Sequence, residues 1–131
     1  MRFMMLMIPR GYESAKPGTM PDAKMVEAMT EYNNALQKAG VLITLDGLHP
    51  PSIGARVTFA NGKPIVIQGP FPNAKEVLGG YWMIRVKSKD DAIAWASKGP
   101  ASDNDIIEIR QVQEFEEFPE EVQKVAAAFS G

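Results

Sequence analysis

Between residues 63 and 86 the chain carries two β-rich runs joined by a tightly punctuated connection, and that punctuation constrains the fold more than any other feature. Ile65, Val66 and Ile67 run into Gln68-Gly69-Pro70-Phe71. The β-branched residues favour a strand, glycine permits a turn and proline stiffens it. A strand therefore ends there with Gln68 and Phe71 at its exit, a position whose side chains often line sites. The run continues as Pro72-Asn73-Ala74-Lys75-Glu76-Val77-Leu78-Gly79-Gly80-Tyr81. Lys75 and Glu76 are adjacent, so they point in different directions and each is expected to find its own partner. Gly79-Gly80 lets backbone approach backbone before a strand from Tyr81 to Val86. Two readings fit: a structural corner holding two strands in register, or a polar pocket roofed by Phe71 and Tyr81.

The rest of the chain supplies the partners of these strands. Met1 to Ile8 is apolar and stops at Pro9-Arg10-Gly11, too short for a signal peptide core plus cleavage site. It reads as a strand with Phe3, Met5 and Met7 on one face and Met4, Leu6 and Ile8 on the other; both faces want cover, so it should be central. Its methionines are most simply packing. Thr19-Met20-Pro21-Asp22 looks like a helix start, with Thr19 as the capping hydroxyl. Met25, Met29, Tyr32 and Leu36 follow at helical spacing, and Gly40 closes the helix. Val41 to Leu45 forms a second strand. Ala55 to Phe59, Asn61-Gly62 and Pro64 to Ile67 form a hairpin, with Pro64 marking an edge. Ser88-Lys89-Asp90-Asp91 is a capping box for a helix ending at Gly99-Pro100, and Ile106 to Val112 is the last strand. The order is strand, helix, strand, hairpin, strand, helix, strand: an α+β, ferredoxin-like split βαβ with an inserted β-hairpin. A short helix over about 119–131, with Val122, Val125, Ala126 and Phe129 on one side, finds no obvious core to join, so a partner subunit would supply one.

Composition narrows the function classes. A chain of 131 residues with 45% apolar residues and a net charge of −2 suits one domain, 1–131, and is too short for two. It lacks the basic excess of a nucleic-acid binder and the long apolar run of a membrane span, so neither partner is expected, and the compartment is read as cytoplasmic. With no cysteine and the single histidine His49, zinc is improbable and no metal or cofactor is expected.

The run from Gln68 to Tyr81 resembles the DGPF motif of the YCII-related family, which reads Asp-Gly-Pro-Phe, a short spacer, Lys-Glu, then Leu-Gly-Gly and an aromatic. Gln68 stands where the motif has Asp. The resemblance extends from about Arg2 to Val112 and implies the dimeric α/β barrel group. Burial points the same way: two helices can cover only one face of the sheet. The other, apolar along Phe3, Met5 and Met7 or their neighbours, would be bare in a monomer. A homodimer packed sheet to sheet would cover it.

Candidate site residues follow from both lines. His49, in a Gly47-Leu48-His49-Pro50 segment similar to the family's Gly-Leu-x-Pro, carries the side-chain type suited to acid/base work near neutral pH; a solvated loop histidine is the plainer alternative. Arg56 matches a basic position at the start of the family's hairpin strand and could pair an anionic ligand bidentately, or else form a surface salt bridge to Glu76. Lys75 and Glu76 match the family's Lys-Glu, as anion anchor and as orienter or base. In smaller members a His and an Asp are thought to form an acid/base dyad. The first helix here has no histidine, and Gln68 can hydrogen-bond but cannot charge-stabilise an imidazolium, so a literal copy of that dyad is absent. Asp46, three residues before His49, is a substitute partner or a turn residue bonding its own backbone. The expectation is a homodimer with a seam pocket for a small polar or anionic metabolite, walled by Arg56, Gln68, Phe71, Lys75 and Tyr81. It is either a cofactor-independent enzyme with His49 and Glu76 as catalytic groups, or a noncatalytic sensing, accessory or structural dimer.

Overall fold

A computed structural model describes residues 1–71 and 73–128. Pro72 of the connection and Phe129 of the tail helix therefore lie outside the described residues. Strands β1 (Arg2–Ile8), β2 (Leu42–Gly47), β5 (Gly80–Arg85) and β6 (Ile106–Gln111) form one antiparallel sheet in the order β2-β5-β1-β6. Helices α1 (Ala23–Lys38) and α2 (Lys89–Ala96) connect within it, and β3 (Ala55–Ala60) with β4 (Lys63–Gln68) forms a separate two-stranded sheet. The chain is α+β, consistent with the ferredoxin-like pattern, with the hairpin inserted after β2.

β1 is central as expected, pairing with β5 on one side and β6 on the other. Alternation assigns its two faces, and the structure shows which one the helices take. Phe3, Met5 and Met7 are buried with Trp82 and Ile84 beneath Tyr32 and Leu36 of α1 and Ala92 of α2. The open face is therefore that of their neighbours Met4 and Leu6, with Tyr81, Met83 and Arg85 of β5, since these alternate with the core positions. The core is pinned by polar atoms as well. Tyr32 Oη donates to the Trp95 carbonyl at 2.7 Å, and Trp82 Nε1 donates to Asn33 Oδ1 at 2.7 Å. Tyr32 meets Trp82 edge to face at 5.3 Å, a favoured aromatic geometry. Burial pushes the Tyr32 phenol up to about 12, because its ionised form would lose water.

Helix α1 starts later than its sequence signals imply. Asp22, not Thr19, caps it by accepting from the Met25 amide at 2.8 Å, while Thr19 Oγ1 donates to the Lys16 carbonyl in the preceding turn. A carboxylate immediately before the first turn meets the free amides, and Thr19, three residues earlier, is satisfied locally. The Ser88 cap and the hairpin turn fall where the sequence puts them, while α2 ends at Ala96, short of Gly99-Pro100. Ser88 Oγ accepts from the Asp91 amide at 3.1 Å, and Asn61 and Gly62 take φ of 53° and 75°, the left-handed pair of a tight hairpin turn. The tail forms helix α3 (Glu120–Ala126), none of whose residues is buried. No helix among the described residues is long and apolar enough to cross a membrane.

Candidate functional site

At one end of the sheet three connections converge: the one from β1 to α1, the turn after β2 and the segment before β5. Their backbone is tied together, Gly79 donating to the Met7 carbonyl at 2.8 Å and Leu48 to the Gly79 carbonyl at 2.9 Å. Gly79 is needed for this closeness, since a Cβ there would stand 2.6 Å from Cγ of Pro9. Gly80 likewise lies against the Asp46 carbonyl. The Gly79-Gly80 pair thus serves the close backbone approach read from the sequence.

Between these connections and the first turns of α1 lies a cavity of about 450 Å³, walled by Met7, Met20, Met25, Met29 and Leu48, with His49, Tyr12 and Asp105 among its polar groups. Two of these are already engaged. Tyr12 Oη donates to the Leu48 carbonyl at 2.6 Å, and Asp105 accepts from the amides of Arg10 at 2.8 Å and Ser102 at 2.9 Å. Partial burial raises the Tyr12 phenol above its ordinary value. The imidazole of His49 makes no hydrogen bond to another described residue and is exposed. Its ring nitrogens are therefore open to donate to and accept from a ligand.

The other candidates separate into two places. Tyr81 lies on the open sheet face, where its hydroxyl donates to Asp46 Oδ2 at 2.7 Å. That bond, more than burial, raises the Tyr81 pKa, because a phenolate would face a carboxylate. Asp46 is thus Tyr81's partner. Arg56, Gln68 and Phe71 stand at the hairpin root, and Lys75 and Glu76 follow in the connection to β5. The Arg56 guanidinium stacks 4.4 Å over the Phe71 ring, a cation–π contact, in place of the expected alternative of a salt bridge to Glu76. Lys75 Nζ comes within 3.8 Å of Glu13 Oε2 while staying largely exposed, and Glu76 turns the chain with φ of 53°. Lys75 thus meets Glu13 and not its neighbour Glu76. Gly69 locks the root: its amide donates to the Gly54 carbonyl at 2.8 Å, and a Cβ there would collide with the Pro51 carbonyl oxygen.

Sequence reasoning found His49 but not its surroundings. Met25 and Met29 follow at helical spacing, which reveals which face is apolar, not where the sheet beneath that face stops. Tyr12 and Asp105 gave no signal, since their roles depend on loops from distant parts of the chain meeting. A second, wider depression of about 490 Å³ lies beside Trp95 and Lys98 and holds none of the candidates. Among the described residues no three His, Asp or Glu side chains are grouped to hold a metal ion.

The antiparallel sheet, the inserted hairpin and the Gly-Pro-Phe corner define a small α+β domain. The sequence model of the YCII-related domain matches residues 1–116, and the chain belongs to that family. Comparison with curated proteins finds no match.

Proposed function

We propose that this YCII-related protein is a homodimer of the dimeric α/β barrel kind that binds a small molecule in the His49 cavity. The observation that carries this reading is a volume of about 450 Å³, within the range of small-molecule sites, walled by thioethers and offering one unengaged imidazole. Methionine walls adapt to irregular apolar shapes. The ligand that fits has an apolar body and a polar or anionic end that hydrogen-bonds His49. The cavity lies on the helix side of the sheet, away from the open face where Tyr81 and Asp46 stand. Binding in it therefore does not require a seam pocket, though the open face still favours a second copy. Its half-buried Met4, Leu6 and Met83 would gain cover from a sheet-to-sheet partner.

Asp46 bonds Tyr81, and the His49 imidazole makes no hydrogen bond to a described carboxylate, which favours binding over dyad catalysis. A thermal-shift screen of carboxylates and phenols with apolar bodies against compact polar anions tests the reading. The expected result is stabilisation of the wild type by the first class, reduced in Met29→Lys and in His49→Asn. Stabilisation by the compact anions alone, unchanged in Met29→Lys, would move the site to the Arg56 and Lys75 region. For any ligand that is also turned over, an unchanged rate in His49→Asn would remove the histidine from the chemistry.

A further inference from the structure

The end of the sheet away from His49 carries a different kind of concavity. β2 and β5 run antiparallel, with Gly47 paired to Gly80 beside the His49 cavity and Leu42 paired to Ile84 near the other end. From Gly80 to Arg85 the strand covers about 17 Å. Past Arg85 the depression of about 490 Å³ lies between the exit of β5 and one side of α2. Asp91, Ala94 and Trp95 supply that side, at the spacing of three and four residues that shares a helix face. Lys98 follows in the closing turn, its amide donating to the Trp95 carbonyl at 3.1 Å.

The charges around this depression do not balance. Arg85, Lys87 and Lys98 line it together with the single carboxylate of Asp91, an excess of two positive charges in a chain whose net charge is −2. Among the described residues none of the three cations forms an ion pair. Glu114 also feels the charge of Arg85, but that carboxylate is taken by Arg2 at 2.6 Å. Exposed cations alone are a solvated surface, because water and salt screen them. The indole makes this group different. Trp95 is half-buried, with Tyr32 edge to face at 6.4 Å and the Lys98 ammonium 5.1 Å from its ring centroid. Its Nε1–H donates to no other described residue and is not shut off from solvent.

An indole N–H, a guanidinium and two ammonium groups are donors only. The complement to them is an anion rich in acceptors. A phosphate monoester brings a charge of about −1.5 to −2 and three acceptor oxygens, which matches the excess of two, whereas a carboxylate brings one charge. A guanidinium also meets phosphate with two parallel bonds. The volume exceeds the needs of a bare phosphate, and Val41, Ala94 and the indole give an organic group an apolar wall.

We infer that this depression is a second small-molecule site that takes a phosphate monoester, with Arg85, Lys87 and Lys98 on the phosphate and the organic group along Trp95. The inference stands apart from both the His49 cavity and the homodimer. Trp95 is its own reporter, since the chain has two tryptophans and Trp82 is 5% exposed and bonded to Asn33. Phenyl phosphate titrated into the full chain at low salt is expected to change the tryptophan emission saturably and to raise the melting temperature. Inorganic phosphate and benzoate are expected to bind about tenfold or more weakly. Arg85→Ala and Lys98→Ala, both at exposed positions, are each expected to weaken phenyl phosphate about tenfold, and His49→Asn to leave it unchanged. Neither an emission change nor a melting shift in the wild type would overturn the site, and so would binding that survives both substitutions. Benzoate binding as tightly as phenyl phosphate would overturn the phosphate assignment. Inorganic phosphate binding as tightly would overturn the organic subsite at Trp95. Loss of binding in His49→Asn would place the ligand in the methionine-walled cavity and overturn the second site.

Discussion

The four-stranded sheet and the hairpin use the same kind of residues to opposite ends. Met5, Phe3, Leu36 and Ile84 are fully buried within one chain, so β1, β5 and the two helices stabilise one another without help. Every residue of β3 and β4 is exposed, although Val57, Val66, Ile65 and Ile67 are as β-favouring and apolar as any core residue. The difference is in covering layers: α1 and α2 return over the sheet, and no described element returns over the hairpin. β-propensity thus specifies a strand's conformation but not its burial, and the hairpin is apolar surface awaiting a neighbour.

The largest effect belongs to the self-sufficient half. Leu36→Ala is expected to lose about 2–5 kcal/mol of unfolding free energy in urea melts, because it opens a cavity against Tyr32, Trp82 and Ile84. Val66→Ala on the hairpin is expected to cost within about 0.5 kcal/mol in dilute protein, as at exposed sites generally. The contrast breaks if Val66→Ala is as harmful as Leu36→Ala under dilute conditions. It sharpens if the cost of Val66→Ala grows with protein concentration, since that growth measures burial by a second copy.

At the junction of the two regions, Gly69→Ala is expected to destabilise by about 1–3 kcal/mol, because the new methyl meets the Pro51 carbonyl and backbone must move. The same change should make the hairpin root more open to proteolysis while the sheet's hydrogen-exchange protection changes little; equal loosening of both would mean that hairpin and sheet unfold together. Tyr32→Phe is a smaller test inside the core. It removes the bond to the Trp95 carbonyl and keeps the ring, for a loss of about 1 kcal/mol in the same melts.

What could be read from the sequence divides along the same line. The central place of β1, the Asn61-Gly62 turn, the Ser88 cap and the close approach at Gly79-Gly80 all depend on neighbours a few residues away, and each was legible. Which face of β1 the helices choose was not, because alternation yields two apolar faces and only the path of α1 and α2 decides between them. The helix start failed by three residues because Thr19 and Asp22 are both good caps, and a local turn claimed the first. At the site, His49 was visible as the single imidazole. The methionine walls, the stacking of Arg56 on Phe71 and the bonding of Asp46 to Tyr81 required separated strands to be brought side by side.

The smallest expected effect lies where the sheet hands over to the tail. Arg2 Nε donates to Glu114 Oε1 at 2.6 Å and its Nη2 to Oε2 at 3.1 Å, a two-pronged pair that places the root of the acidic segment beside β1. The guanidinium bond holds the Glu114 carboxyl below its ordinary 4.5. A lowered folded pKa means that the tie contributes fully above the unfolded value and is lost as pH falls through the folded one. Wild type is therefore expected to melt slightly higher than Glu114→Gln at about pH 6, and the two should converge as the pH falls through the folded value. Both groups are partly solvated, so added salt should shrink the gap. A gap that persists at low pH would show that Glu114 acts by shape and not by charge.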